Sequence, residues 1–224
     1  MDATLVFALR HGETAWNREG RLQGHLNLPL NDMGQAQARR LGAALADQAI
    51  DAVYASDLDR ALSTAKAVAA AHGLPVHTDP RLRERSFGRF EGRLWADIEA
   101  DYPEAAVRWK QRDPTFEPPG GESLTTFYAR CIEAASSIAL AHAGQTVALV
   151  AHGGVLDCLY RAATHVDLQA PRSWLLGNAS INRLLHTPQG FSLVGWNDDH
   201  HLQGLALDDA GVPGFMPRAE PSRA

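Results

Sequence analysis

Leu5-Val6-Phe7-Ala8-Leu9-Arg10-His11-Gly12, close to the start of the chain, decides how the rest is read. Apolar residues without a break, ended at once by arginine, histidine and glycine, predict a short strand covered on both faces. Val147-Ala148-Leu149-Val150-Ala151-His152-Gly153 repeats the pattern far downstream. Strands of this kind belong to parallel sheets flanked by helices, and such sheets bind ligands beyond the carboxyl ends of their strands. As parallel neighbours, the two strands would bring His11 and His152 to one rim.

Working outward, Gly12 to Leu30 reads as a loop punctuated by Gly20, Gly24 and Pro29. Asn31 and Asp32 offer N-caps to a helix with Ala38, Leu41, Gly42 and Leu45 at helical spacing. Ala52-Val53-Tyr54-Ala55 is a second strand, and Ser56-Asp57 is expected to cap a helix with Ala61, Ala65, Val68 and Ala69 on one face. Pro75 to Thr78 makes a short third strand. Arg93 to Pro119, with Trp95, Tyr102 and Trp109, reads as a helical lid. A long helix from Ser123 to Ala143 leads into the second histidine strand, and Ser180–His186 and Phe191–Trp196 form a final pair around a Pro188–Gly190 turn. The expectation is a three-layer α/β/α domain over 1–202, with a mostly parallel central sheet, helices on both faces and a helical lid insertion. Residues 203–224 turn to Gly, Pro, Ala and acid and are expected to form a mobile tail.

Composition narrows the function. The 224 residues are 45% hydrophobic and 21% charged, enough for a core without disulfides. A net charge of −5 argues against nucleic acid as the main partner. Cys131 and Cys158 lack metal-ligand spacing and read as small core residues of a reduced compartment. No signal-like segment and no membrane-length apolar run is present, so no membrane partner and a cytoplasmic location are expected. The oligomeric state stays open, a homodimer being one option.

The ordered set Leu9-Arg10-His11-Gly12-Glu13-Thr14-Ala15-Trp16-Asn17, Leu22-Gln23-Gly24, Leu28-Pro29-Leu30, Val53 to Ala61, Leu82-Arg83-Glu84, Phe87-Gly88, Glu91-Gly92, Gly120 to Ser123, His152-Gly153-Gly154 and Asn197-Asp198 resembles the histidine phosphatase superfamily, the phosphoglycerate mutase-like enzymes. The resemblance runs from about residue 4 to 202. It implies a catalytic set of His11, Arg10, Arg60, Glu84 and His152, with Asn17, Gln23, Gly24 and Gly153 binding substrate.

Those residue types suit phosphoryl transfer, which needs an in-line nucleophile, cations around the equatorial oxygens and a proton for the leaving oxygen. A neutral His11 imidazole can attack phosphorus if its other nitrogen donates to a backbone carbonyl, expected in the Gly12 loop. Arg10 and Arg60 offer bidentate guanidiniums, His152 a further donor, and Glu84 a general acid that returns as base for water. Glu122 and Glu13 are the reserve candidates for the acid. His200-His201 lacks the companions of a metal site, so neither metal nor cofactor is expected. Trp16, Trp95 and Trp109 read first as packing residues.

The resemblance implies a histidine acid phosphatase-type enzyme, a metal-independent phosphomonoester hydrolase working through phosphohistidine on small phosphorylated metabolites. The segment between Glu84 and His152 is compact and looks like the phosphatase branch, including α-ribazole phosphatase-like and broad-specificity members. A phosphoglycerate mutase-type transfer is the alternative, for which Arg89, Arg93, Arg108, Lys110 and Arg112 are possible secondary anion contacts. A non-catalytic phospho-ligand binding protein is the third reading, disfavoured by the full set of catalytic residue types.

Overall fold

The computed structural model describes residues 2–205, so the tail expected over 203–224 lies, from 206 on, outside the described residues. Strands β1 (Thr4–Arg10), β2 (Ala52–Ala55), β3 (Val76–Thr78), β4 (Thr146–Ala151), β5 (Ile181–Thr187) and β6 (Gly190–Asp198) form one sheet in the order β3-β2-β4-β1-β5-β6. The first four run parallel; β5 is added antiparallel to β1, and β6 antiparallel to β5 at the sheet edge. The mostly parallel three-layer architecture is therefore as expected.

The unbroken apolar runs are explained by burial on both sides. In β1, Val6 and Ala8 face one core while Phe7 and Leu9 face the other. On the first side pack α6 (Leu124–Ala141) and α7 (Gly153–Thr164), through Phe127, Cys131, Leu156 and Leu159. On the second pack α2 (Asp32–Leu45) and α3 (Asp59–His72), through Leu41, Leu45, Ala65 and Val68. Both cysteines are buried and unbridged.

The short α1 (Ala15–Glu19) falls where only loop is expected, held by a capping box between Thr14 and Asn17. The cap of α3 is also corrected. Leu58 occupies the N-cap without a side-chain bond, and Ser56 Oγ instead accepts the Leu58 N–H at 3.3 Å. The helix thus begins at Asp59, one to two residues later than the expected cap implies, and carries Arg60 in its first turn. The lid contains α4 (Trp95–Asp101) and α5 (Pro103–Lys110), with its own small core of Leu22, Phe90, Ile98 and Phe116. No helix among the described residues is long and apolar enough to cross a membrane.

Candidate active site

Arg10 at the end of β1 is in register with Ala151 at the end of β4, so the next residues, His11 and His152, meet at one rim. Their ring centroids are 5.1 Å apart at an interplanar angle of 60°. The His11 N–H donates to Ala151 O at 3.0 Å, and His11 Nδ1 lies 2.7 Å from Gly12 O. A carbonyl only accepts, so Nδ1 carries the proton and Nε2 holds the lone pair. The Gly12 N–H is in turn anchored on Thr64 Oγ1 at 3.0 Å. Gly12 cannot carry a side chain, because a Cβ there would sit 2.4 Å from Gly34 O of α2.

Both imidazoles are held well below the usual histidine pKa. Burial is the main cause for each, and the Arg60 and Arg10 guanidiniums add to it; for His152 the neighbouring His11 contributes as well. Gly12 O works in the opposite direction on His11 and is outweighed. The rings are therefore neutral at physiological pH. Arg60 is buried, with Nη1 donating to Leu26 O at 2.9 Å and Nη2 to Gly24 O at 2.8 Å; burial lowers it to about 10, still charged at neutrality. Arg10 Nη1 donates to Leu176 O.

Glu84 enters from the segment after β3. Its Oε1 accepts the Arg85 N–H at 2.8 Å and its Oε2 accepts the Gly154 N–H in the first turn of α7 at 2.9 Å. A Cβ on Gly154 would lie 2.1 Å from Glu84 Oε1, so the glycine is what lets the carboxylate approach the helix. His25 donates from Nε2 to Glu84 O at 2.9 Å and so braces the same residue.

A single cleft brings most of the candidate residues together. Arg10, His11, Arg60 and Glu84 line it with Asn17, Gln23, Gly24 and Gly153. His152 does not line it; it is fully buried against the His11 ring, with no hydrogen-bond partner for either ring nitrogen among the described residues. Asn17 also has a local duty, its Oδ1 accepting the Thr14 N–H and Oγ–H at 3.0 Å each. Gln23 is buried, with no partner for Oε1 among the described residues.

The reserve acids lie elsewhere. Glu122 is gripped by Arg130 at 2.9 and 2.7 Å, and Glu13 is held by Arg18 and Asn31 at 2.9 and 2.6 Å. Of the arginines and lysine considered as secondary anion contacts, Arg112 alone lines the cleft. Arg93 pairs with Asp101, Arg108 with Asp113 and Lys110 with Glu99. Sequence reasoning missed Arg21, Arg85 and Arg172, which do line it. For Arg85 the available signal was its place directly after the candidate acid Glu84, on the connection from β3 to the lid. Trp16 and Trp109 contribute to the wall, whereas Trp95 packs against Trp109 in the lid core at a centroid distance of 5.8 Å. His200 pairs with Asp198 and His201 donates to Ala179 O, and among the described residues no three His, Cys, Asp or Glu gather as a metal site.

This architecture has many relatives. The chain is 37% identical over 218 residues to phosphoglycerate mutase-like protein 4 of Arabidopsis thaliana, covering 96% of this chain and 94% of that protein. It is 35% identical over 216 residues to a metal-independent phosphoserine phosphatase of the same plant, covering 95% and 89%. Among solved structures, Bacillus stearothermophilus YhfR superposes with a TM-score of 0.83 at 33% identity, covering 89% of this chain and all 100% of that one. Mycobacterial glucosyl-3-phosphoglycerate phosphatase gives 0.77 at 32%, covering 88% and 99%. The profile of the histidine phosphatase superfamily (branch 1) matches residues 6–199, and the chain belongs to that family.

Proposed function

We propose that the protein is a metal-independent phosphomonoesterase that passes through a phosphohistidine at His11. The observation that carries this reading is the hydrogen bond from His11 Nδ1 to Gly12 O at 2.7 Å on a ring whose burial and cationic neighbours keep it neutral. That combination supplies an unprotonated Nε2 in a cleft lined by Arg10 and Arg60.

In the first step Nε2 attacks phosphorus in line, the P–O bond to the alcohol breaks, and Glu84 delivers its proton to the leaving oxygen. Arg10 and Arg60 bind the equatorial oxygens, where negative charge is concentrated in the transition state. His152 supplies another donor once a phosphoryl oxygen reaches it. Its two buried ring nitrogens lack partners among the described residues, and a bound oxyanion would relieve the one that carries the proton. In the second step Glu84, now a carboxylate, takes a proton from water as the water oxygen attacks phosphorus and the P–N bond breaks. Phosphate leaves and His11 regains its lone pair.

Relatives named as phosphatases support hydrolysis. A mutase-type transfer is favoured by one observation, the further arginines Arg21, Arg85, Arg112 and Arg172 on the cleft, which could hold a second anionic group. Rapid quenching during turnover of p-nitrophenyl phosphate should reveal acid-labile, base-stable phosphoenzyme, absent from His11→Ala and unaffected by chelators. Turnover lost with a chelator, or labelling that persists in His11→Ala, would overturn the reading. A labelled enzyme that returns its phosphoryl group to phosphoglycerate in preference to water would establish the mutase instead.

A further inference from the structure

Asn197 and Asp198, at the end of β6, belong to the ordered residue set that resembles the family, yet neither lines the cleft. Asn197 has a φ of 51°, a left-handed backbone that asparagine adopts at lower cost than most side chains. Its N–H donates to Asn182 Oδ1 at 2.7 Å. Asn182 is buried on β5 opposite Ala8 of β1, and its Nδ2 donates to Ala8 O at 2.9 Å. The sheet therefore fixes the Asn197 backbone, and the side chain reaches outward from it. Asn197 Oδ1 accepts the Gly177 N–H at 2.9 Å.

The Gly177 N–H and the Leu176 carbonyl are the two ends of one peptide group, and that carbonyl accepts from Arg10 Nη1. In a trans peptide the N–H and C=O point in opposite directions, so Asn197 holds one side of the plane and Arg10 meets the other. The line of bonds leaves β1 at Ala8 and returns to it at Arg10, two residues on. Rotation of this peptide group would carry the carbonyl away from the guanidinium, and glycine at 177 removes the Cβ that would resist it. The Asn197 bond opposes that rotation. Elsewhere in the loop, the Ala179 N–H donates to His11 O at 3.2 Å and His201 Nε2 donates to Ala179 O at 3.1 Å. Those bonds act on other peptide groups than the one that faces Arg10. A guanidinium discriminates by the direction of its N–H groups, so the aim of Arg10 depends on the carbonyl that it grips.

We propose that Asn197 is a positioning residue for phosphate binding: by fixing the Leu176–Gly177 peptide group it aims the Arg10 guanidinium at the equatorial oxygens, without touching substrate. The inference rests on the phosphomonoesterase reading, which assigns Arg10 to the phosphoryl group. Asn197→Gly keeps the left-handed backbone and removes the acceptor. With p-nitrophenyl phosphate it should lose about tenfold in kcat/KM, the range of one hydrogen bond. Asn197→Asp tolerates the same φ and keeps an acceptor oxygen, so it should recover most of that loss. A double-mutant cycle tells positioning from stability. In the Arg10→Ala background Asn197→Gly should cost less than about twofold, because the group it aims is gone. General damage to the fold would act in both backgrounds alike, so equal tenfold losses overturn the proposal. A fully active Asn197→Gly, an Asn197→Gly chain that does not fold, or an Asn197→Asp enzyme as impaired as Asn197→Gly would overturn it too. In each of those cases, continued hydrolysis by the wild type leaves the phosphatase reading standing. Calorimetric binding of inorganic phosphate reads the same coupling without turnover. Affinity should fall about tenfold in Asn197→Gly, and Arg10→Ala/Asn197→Gly should bind no more weakly than Arg10→Ala. That coupling, in a protein that hydrolyses no phosphate ester, would sustain the positioning role and overturn the hydrolytic reading alone.

Discussion

Arg60 shows how much one residue is asked to do. Its guanidinium faces the cleft while Nη1 and Nη2 hold the carbonyls of Leu26 and Gly24, so the same fork shapes the loop and meets phosphate. Arg60→Ala should cost about 3 kcal/mol of transition-state stabilisation, roughly a hundredfold in kcat/KM. Arg60→Lys should recover only part, because an ammonium cannot span two carbonyls and an oxyanion. A fully active Arg60→Lys enzyme, measured with p-nitrophenyl phosphate, would show that the fork is not used. Glu84 is tested by leaving group instead. Glu84→Gln should slow phosphoenzyme formation strongly for alkyl phosphates, whose alkoxide needs the proton, and little for p-nitrophenyl phosphate. Dephosphorylation should be slow for both, so phosphohistidine should accumulate with the aryl ester under rapid quench. Equal slowing of the first step without accumulation would make Glu84 structural.

At the scale of elements, the site depends on backbones that touch. The first turn of α7 holds Glu84 through the Gly154 N–H, and α2 is pressed against the His11 loop, where a Cβ on Gly34 would fall 2.0 Å from Glu13 O. Gly34→Ala forces backbone against backbone and should destabilise the fold by about 1–3 kcal/mol, the range for overpacking. Gly154→Ala meets a side chain instead. Its main effect should be on kcat, as Glu84 is pushed aside, with a smaller change in Tm; a normal kcat with a depressed Tm would reverse that assignment. How legible these elements were follows from their physics. β1 and β4 were readable because burial on both faces leaves an uninterrupted apolar run, and their adjacency followed from the matching histidines. The cap expected at Ser56-Asp57 was misplaced because favourable capping residues stand one and two positions ahead of the true N-cap, Leu58, and neither caps the helix that starts at Asp59. The five-residue α1 has no apolar period to read and is held by its capping box. The bond from Gly154 to Glu84 spans elements seventy residues apart. Only the family resemblance, not any local pattern, suggested that those residues meet.

The whole molecule places cationic arginines in a cleft of a chain whose net charge is −5, and it buries two histidines beneath them. This gives its stability a particular pH dependence. His11 and His152 have folded-state pKa values well below 6.5, mainly through burial, so the unfolded chain binds their protons at a pH where the native state does not. Stability rises with pH wherever the unfolded state holds more protons. The contribution is therefore fully present above about pH 6.5 and is lost as pH falls from there toward the folded values. Each histidine can add at most about 1.4 kcal/mol per pH unit to the slope in that window. The carboxylates stabilised by ion pairs, such as Asp57 with Arg83, act at lower pH because their ordinary pKa is 3.8. Urea unfolding at intervals from pH 7.5 to 5 should show a stability loss that begins near pH 6.5. His152→Asn should remove about one proton's share of the slope while leaving that of His11. A flat profile across this window, or an unchanged slope in His152→Asn, would mean that the buried rings accept protons as readily in the native state, and the neutral His11 on which the proposed nucleophile depends would fall with it.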